Sequence, residues 1–323
     1  MRNCLIHVGT HKTGTTAIQV LLSQAHSAFQ DRGYLYPRAG RLDSLPGHHN
    51  IAWQISGDCR FRPKIGTIED LIREVRDTPH DIILSSEDLE CSLYAVDKFF
   101  EFVSLFQSNG FKITFILYVR DQIDYLPRIY LTSIASGFDS TFDQVLGQVL
   151  DRAEFRWQNW IFNFDYLDLL NRLHALPDVD VIVRSYDRVS ASVGNDFLSI
   201  LGLGLSDLGI EKEIIANVSR PPKTYLQRFV ENRMGRKLSA GEHEAINTIA
   251  TDIGKLQMSP AAILQMDRRF FDSNRRLAAK CAIPEFATTR SQDTTQSCDI
   301  RAPFIEDVFS ADTETRFKQL SSI

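Results

Sequence analysis

Ile6-His7-Val8-Gly9-Thr10-His11-Lys12-Thr13-Gly14-Thr15-Thr16 is the stretch on which the reading of this chain turns. Residues 4–8 form a mainly apolar run that predicts a buried strand. Gly9 and Gly14, five residues apart, follow it, and a helical pattern then begins with Ala17, Ile18, Leu21, Leu22, Ala25 and Phe29. A strand, a tight glycine loop and a helix N-terminus together build an anion site. Successive N–H groups point inward, and the helix dipole adds roughly half a positive charge. Lys12 lies inside this loop, where its ammonium would cover the same anion. The plain alternative is a generic strand–turn–helix that contains Lys and Gly.

The pattern around this stretch alternates strand and helix. Residues 34–36 read as a short strand ending at Pro37, and Gly33 before them suits the end of a helix. Residues 38–50 are polar and predict a loop. A helix is expected at 67–76, a buried strand at 81–84 followed by Ser85-Ser86-Glu87, and a helix at 96–106 stopped by Gly110. Residues 111–119 are the clearest core strand, and it ends at Arg120. Such alternation argues for a parallel sheet. Residues 157–173 are apolar all round and predict a buried helix. One more strand is expected at 179–183, then helices at 196–203, 224–233, 241–253 and 260–282. After Pro284 the apolar pattern fades, and 288–297 is rich in Ser and Thr.

Bulk composition narrows the classes. The 323 residues, 43% hydrophobic and 24% charged, are ordinary for a globular chain. A formal net charge of −5 argues against a general nucleic-acid binder, which needs a basic footprint. No apolar stretch has the length of a membrane span, and neither a signal peptide nor an anchor is expected. Cys4, Cys59, Cys91, Cys281 and Cys298 are odd in number and scattered. They make neither a metal cluster nor a disulfide framework, so a reduced, cytoplasmic protein is expected.

The glycine spacing resembles a Walker A loop, G-x-x-x-x-G-K-[ST], with one difference. Thr15, not Lys, follows the second glycine, and the lysine lies two residues before it. In nucleoside-triphosphate enzymes the lysine after the glycine holds the β/γ-phosphates, and Ser/Thr holds Mg²⁺. A displaced lysine argues for another nucleotide and no metal. The segment His11-Lys12-Thr13-Gly14-Thr15-Thr16 resembles the loop over the 5′-phosphosulfate in the sulfotransferase family. The resemblance extends over about residues 1–285. It implies an α/β fold, a P-loop-like parallel sheet flanked by helices with a largely helical C-terminal half. It sets residues 286–323 apart as a loose polar tail.

Ligands of open parallel sheets bind beyond the carboxyl ends of the strands. Three polar groups stand at such ends: the glycine loop, Ser85-Ser86-Glu87 and Arg120. In the family, an Arg at this strand end and a Ser eight positions on bind the 3′-phosphate of 3′-phosphoadenosine-5′-phosphosulfate (PAPS). Arg120 matches the first position; Arg128 replaces the Ser, and an Arg also holds phosphate by a bidentate fork. Pro127 beside it is placed to start or kink a helix. A surface ion pair with Asp121 or Asp124 is the alternative for Arg120.

Two candidate bases stand out. In cytosolic members of the family a histidine base occupies the position that Glu87 matches, and other members use a glutamate elsewhere in the cleft. A carboxylate base needs desolvation that raises its pKa. Glu87 reads equally as a cap on the next helix. His48-His49 is the second candidate, on a loop expected to reach over the cleft, with His49 the nearer to a base; loop histidines are also often simply solvated. Tyr186 resembles the family aromatic beside the adenine, and Asn217-Val218-Ser219-Arg220 the segment closing over the 3′-phosphate. A core tyrosine and an N-capping serine are equally good readings. The aromatic set Phe155, Trp157, Trp160, Phe162, Phe164 and Tyr166 suits core packing better than sugar stacking.

These features point to a PAPS-dependent sulfotransferase. Lys12 would stabilise the leaving phosphate, Glu87 or His49 would take the acceptor proton, and no metal would be needed. His11, Lys12, Thr13, Gly14, Thr15, Thr16, Arg120, Arg128, Tyr186, Ser219 and Arg220 would hold the cofactor. The acceptor is expected to be a hydroxyl on a small molecule or carbohydrate, a saccharide or glycolipid by family analogy. A P-loop kinase and a non-catalytic nucleotide-binding or interaction protein are the rivals, and fold alone does not choose among them.

Overall fold

The computed structural model describes residues 1–44, 46–211, 221–250, 256–290, 304–313, 315 and 317. In chain order the first elements are β1 (Arg2–Gly9), α1 (Thr15–Gln24), α2 (His26–Asp31), β2 (Tyr34–Leu35), α3 (His49–Ser56) and α4 (Ile68–Val75). Next come β3 (Asp81–Ser85), α5 (Leu89–Ser92), α6 (Val96–Ser108), β4 (Phe111–Val119), α7 (Gln122–Ala135), α8 (Phe142–Arg152) and β5 (Glu154–Trp157). The chain continues with β6 (Trp160–Asn163), α9 (Tyr166–His174), β7 (Val179–Ser185), α10 (Tyr186–Val189) and α11 (Val193–Ile200). It then runs through α12 (Pro222–Met234), α13 (Ala240–Ala250) and α14 (Pro260–Cys281). Two compact units result: Met1–Arg120 with Gln158–Asn217, and Asp121–Trp157 with Val218–Ile323.

The first unit is a five-stranded parallel sheet in the order β2-β3-β1-β4-β7, flanked by helices. β1 is central, with Ile6 opposite Leu84 of β3 and Phe115 of β4. A strand covered on both faces must be apolar on both, which is why β1, β3 and β4 read as continuous hydrophobic runs. Leu5, Ile83, Ile116 and Tyr118 pack beneath α1, α2 and α11. On the opposite face Phe115 stacks on Phe99 of α6, ring centroids 5.9 Å apart. The pairing of β1 with β4 slips by one residue between His7 and Gly9, so the strand ends in an irregularity that turns the chain out of the sheet.

The second unit is mostly helical. Tyr130 of α7 is buried against Phe142 of α8 (5.2 Å) and Phe309 (5.3 Å), and Phe309 also meets Phe229 of α12 (5.4 Å). Asn232 Nδ2 donates to the carbonyls of Ile134 and Phe138, both at 2.8 Å, tying α12 to the end of α7.

Four expectations are corrected. Residues 157–173 are not one helix: the chain forms β5 and β6, and only then α9, whose start is fixed by Asp165 accepting the N–H groups of Leu167 and Asp168. The segment holds only the last residue of β5, all of β6 and α9 up to Leu173, and its many apolar residues had hidden the break between them. His49 is not on a loop, because α3 begins there. Pro127 does not start α7, which begins five residues earlier, capped by Asp121; it lies inside the helix. The tail expected at 286–323 is packed where it is described: Phe309 is fully buried, and Glu306 accepts from the N–H and hydroxyl of Ser259.

Phe115→Ala should cost about 3–5 kcal/mol, because it empties a fully enclosed site between the sheet and α6. Denaturant titration measures this, and a loss below about 1 kcal/mol would mean that this face is not the packed core.

Candidate functional site

The loop between β1 and α1 is built from three left-handed residues: Gly9 (φ 88°), Lys12 (φ 60°) and Gly14 (φ 79°). A Cβ on Gly9 would stand 3.0 Å from the Cα and Cβ of Glu87, so the glycine lets the loop lie directly on the segment after β3. A Cβ on Gly14 would meet Val193 Cγ1 at 2.8 Å and the Tyr186 ring at 3.1 Å. Lys12 adopts its conformation without glycine's freedom, at a cost of roughly 1–2 kcal/mol. Its carbonyl accepts from Arg120 at 3.1 Å, which offsets part of that strain. The Thr10 N–H donates to the Tyr118 carbonyl at 2.8 Å, pinning the loop to β4. The start of α1 faces this loop, with the Ala17 N–H donating to the Gly14 carbonyl at 2.9 Å, and the helix dipole favours an anion there.

Arg120 is buried at the end of β4, beside this loop. Besides its bond to Lys12, it pairs with Asp187 at 3.6 Å and lies over the Tyr186 ring, 5.0 Å from its centroid. Asp121 and Asp124, its alternative partners from sequence, pair with Arg290 at 3.1 and 2.8 Å. The structure thus gathers His11 to Thr16, Glu87, His49, Arg120 and Tyr186 in the first unit. Arg128 belongs to α7 in the second unit, and its Nε is buried without a hydrogen bond among the described residues. Ser219 and Arg220 lie outside the described residues.

The most heavily bonded group is one that the sequence presents only as a neighbour of Glu87. Asp88 faces His11 Nε2 at 3.3 Å, His49 Nδ1 at 3.6 Å and Arg60 at 3.9 Å, and it accepts from Trp53 Nε1 at 2.6 Å. The other nitrogen of His11, Nδ1, lies 3.2 Å from Glu90, whose side chain is fully buried and also accepts the Asn163 N–H at 2.7 Å. With a carboxylate on each ring nitrogen, His11 must donate twice and is an imidazolium. Burial alone would favour the neutral ring, but the bonds to Asp88 and Glu90 outweigh it and push the pKa up to about 10. Burial works against the Asp88 carboxylate too, and the two histidines hold it well below the usual range.

The candidate bases separate in this field. His48 is neutral: burial and Arg41 lower it to about 3, and its Nδ1 accepts the Ser85 N–H at 3.2 Å while Nε2 faces the Pro37 carbonyl at 3.1 Å. His49 is buried, with Nδ1 3.0 Å from Ser86 Oγ; burial disfavours its charge, but Asp88 and Glu87 raise it above its ordinary value. Glu87 does not show the upward shift expected of a carboxylate base. Burial pushes it up, yet His49 and His11 outweigh this and hold it below its ordinary value. It also accepts from Gln19 Nε2 at 2.8 Å. Glu90, Trp53, Arg60 and Gln19 were missed from sequence. The acidic run Glu87-Asp88-Leu89-Glu90 at a strand end was the available signal for Glu90; Gln19 had none.

Among the described residues no group of three or more His, Cys, Asp or Glu side chains is arranged to hold a metal ion. No described helix is long and apolar enough to cross a membrane. No family model matches the chain, and no curated protein matches it. A solved structure from the molecular and structural characterisation of the PezAT chromosomal toxin–antitoxin system of Streptococcus pneumoniae aligns with 73% of this chain and 86% of its own. At 14% identity and a TM-score of 0.32, that likeness carries no argument about fold or function.

The His11 clamp makes stability depend on pH. The folded protein holds this proton to about pH 10, whereas an unfolded chain releases it near 6.5, so the clamp contributes fully below 6.5 and is lost as pH rises toward 10. His11→Gln should therefore cost most stability near pH 6 and progressively less up to pH 10. Urea midpoints across that window measure it, and a cost that does not change with pH would mean a neutral ring.

Proposed function

We propose that this chain is a PAPS-dependent sulfotransferase with a P-loop-like nucleotide site. Lys12 carries the reading. It is an exposed cation held left-handed within the glycine loop, while Thr15 begins α1 where a triphosphate loop has its lysine. That arrangement suits a 5′-phosphosulfate seated on the loop N–H groups with an ammonium above it. Arg120 at the end of the neighbouring strand and Tyr186 against Gly14 support a nucleotide whose 3′-phosphate and base lie on that side.

In this reading the acceptor oxygen attacks sulfur, a new S–O bond forms, and the bond from sulfur to the 5′-phosphate oxygen breaks. Lys12 and the loop N–H groups stabilise the negative charge left on that phosphate. The acceptor's proton goes to His49, which is better matched than Glu87 because its pKa is raised from 6.5 while that of Glu87 is lowered. Glu87 then supports the charged ring. The acceptor is a hydroxyl compound, with a saccharide or glycolipid the class suggested by family analogy.

Calorimetry without added metal should show 3′-phosphoadenosine-5′-phosphate binding far more tightly than ATP; equal affinity, or ATP binding that requires Mg²⁺, would overturn the assignment. Lys12→Ala should lower kcat by about 10²–10³, as loss of one transition-state donor does elsewhere. Full turnover in that variant would reduce the loop to a scaffold.

A further inference from the structure

We propose that Asp88 is the positioning residue of this site: it fixes the His49 ring through Nδ1 and leaves Nε2 as the atom that takes the proton. This rests on the sulfuryl-transfer reading above, but its geometry is independent of the reaction. Asp88 Oδ2 receives Trp53 Nε1 at 2.6 Å and lies 3.6 Å from His49 Nδ1, and the His49 and Trp53 rings stack at 6.1 Å with 28° between their planes. Ser86 Oγ, 3.0 Å from Nδ1, accepts the N–H of Asp88 at 3.2 Å, so the hydroxyl makes the hydrogen bond to this ring nitrogen while the carboxylate, at 3.6 Å, holds the ring by charge. Among the described residues Nε2 makes no hydrogen bond. A Cβ on Gly47 would stand 2.7 Å from it, so a glycine is needed there for the ring to sit as it does.

The other oxygen, Oδ1, faces His11 Nε2. A single carboxylate therefore joins the glycine loop to the ring that handles the proton. Because His11 is locked between Asp88 and Glu90, it has no free nitrogen for proton exchange, and that task falls to His49. The titratable groups acting on His49 are His11 on the glycine loop and Glu87 and Asp88 after β3, with neutral His48 next to it; Arg60, beyond α3, reaches Asp88 at 3.9 Å. The Arg60 guanidinium lies between the Trp53 and Trp160 rings, 4.6 and 5.0 Å from their centroids, and pairs with Asp58 at 2.6 Å.

Two substitutions move His49 in opposite directions. Asp88→Asn removes its carboxylate partner, and Arg60→Gln removes a neighbouring cation. NMR titration of histidine-labelled protein should show the His49 midpoint falling by about one pH unit or more in Asp88→Asn and rising in Arg60→Gln. With PAPS and a hydroxyl acceptor that the wild type turns over, the acid limb of kcat/KM should move with that midpoint, since His49 must lose its proton to act. A His49 midpoint unmoved in Asp88→Asn overturns the proposal, as does a midpoint that moves while the acid limb stays. Should Asp88→Asn not fold, Asp88→Glu, which keeps the charge but displaces it, decides: a moved His49 midpoint and acid limb support the proposal, and wild-type values overturn it. Absence of wild-type turnover with every acceptor counts against the sulfuryl-transfer reading, whereas the NMR midpoints still decide whether Asp88 sets His49.

Discussion

The buried contact of the His11 imidazolium with the Asp88 and Glu90 carboxylates is the constraint from which the rest of the site follows. Each of these charges would cost several kcal/mol to bury alone. Together they are tolerated because nearly every polar atom has a partner of the right sign. Trp53, Arg60 and His49 complete the surroundings of Asp88, and the Asn163 N–H serves Glu90. The glycine loop is thereby fastened to the end of β3 by charge, where a loop held only by its own turns would be free to open.

That fastening explains the backbone of the loop. Gly9 must approach Glu87 within van der Waals contact, which a side chain would prevent, and Gly14 must fit between Tyr186 and Val193. Lys12, the one non-glycine residue of the loop in the left-handed region, is held there by Arg120 from β4. The central strand therefore delivers a loop anchored on both sides, by β3 through Asp88 and by β4 through Arg120. Parallel sheets place such contacts at their carboxyl edge because every strand ends there.

Much of this was legible beforehand, and the failures have physical causes. The core strands were readable because a strand covered on both faces must be continuously apolar, and β4 ends as expected at Val119. The segment 157–173 was misread because apolar content without its period does not distinguish a strand followed by a helix from one helix. For Glu87 to act as the base, burial would have to raise its pKa, as it does for an isolated carboxylate. Two neighbouring histidines, 38 and 76 residues away in sequence, reverse that effect. His48 and His49 are adjacent and chemically identical, yet one is neutral and one is stabilised as a cation, because their rings meet different partners.

The sequence by itself determined the strand–glycine loop–helix unit, the alternation that makes a parallel sheet, and the placement of polar residues at strand ends. These depend on local backbone preferences and on periodicity, which neighbouring residues carry. Only the tertiary structure decided that Asp88 is the hub, that His11 is a locked cation, and that His49 is raised above its ordinary value while His48 is lowered. Those properties belong to charges brought together from distant parts of the chain in a poorly solvated interior. There, whether a ring meets carboxylates, as His49 does, or a carbonyl, an N–H and the field of an arginine, as His48 does, outweighs the identity of the side chain.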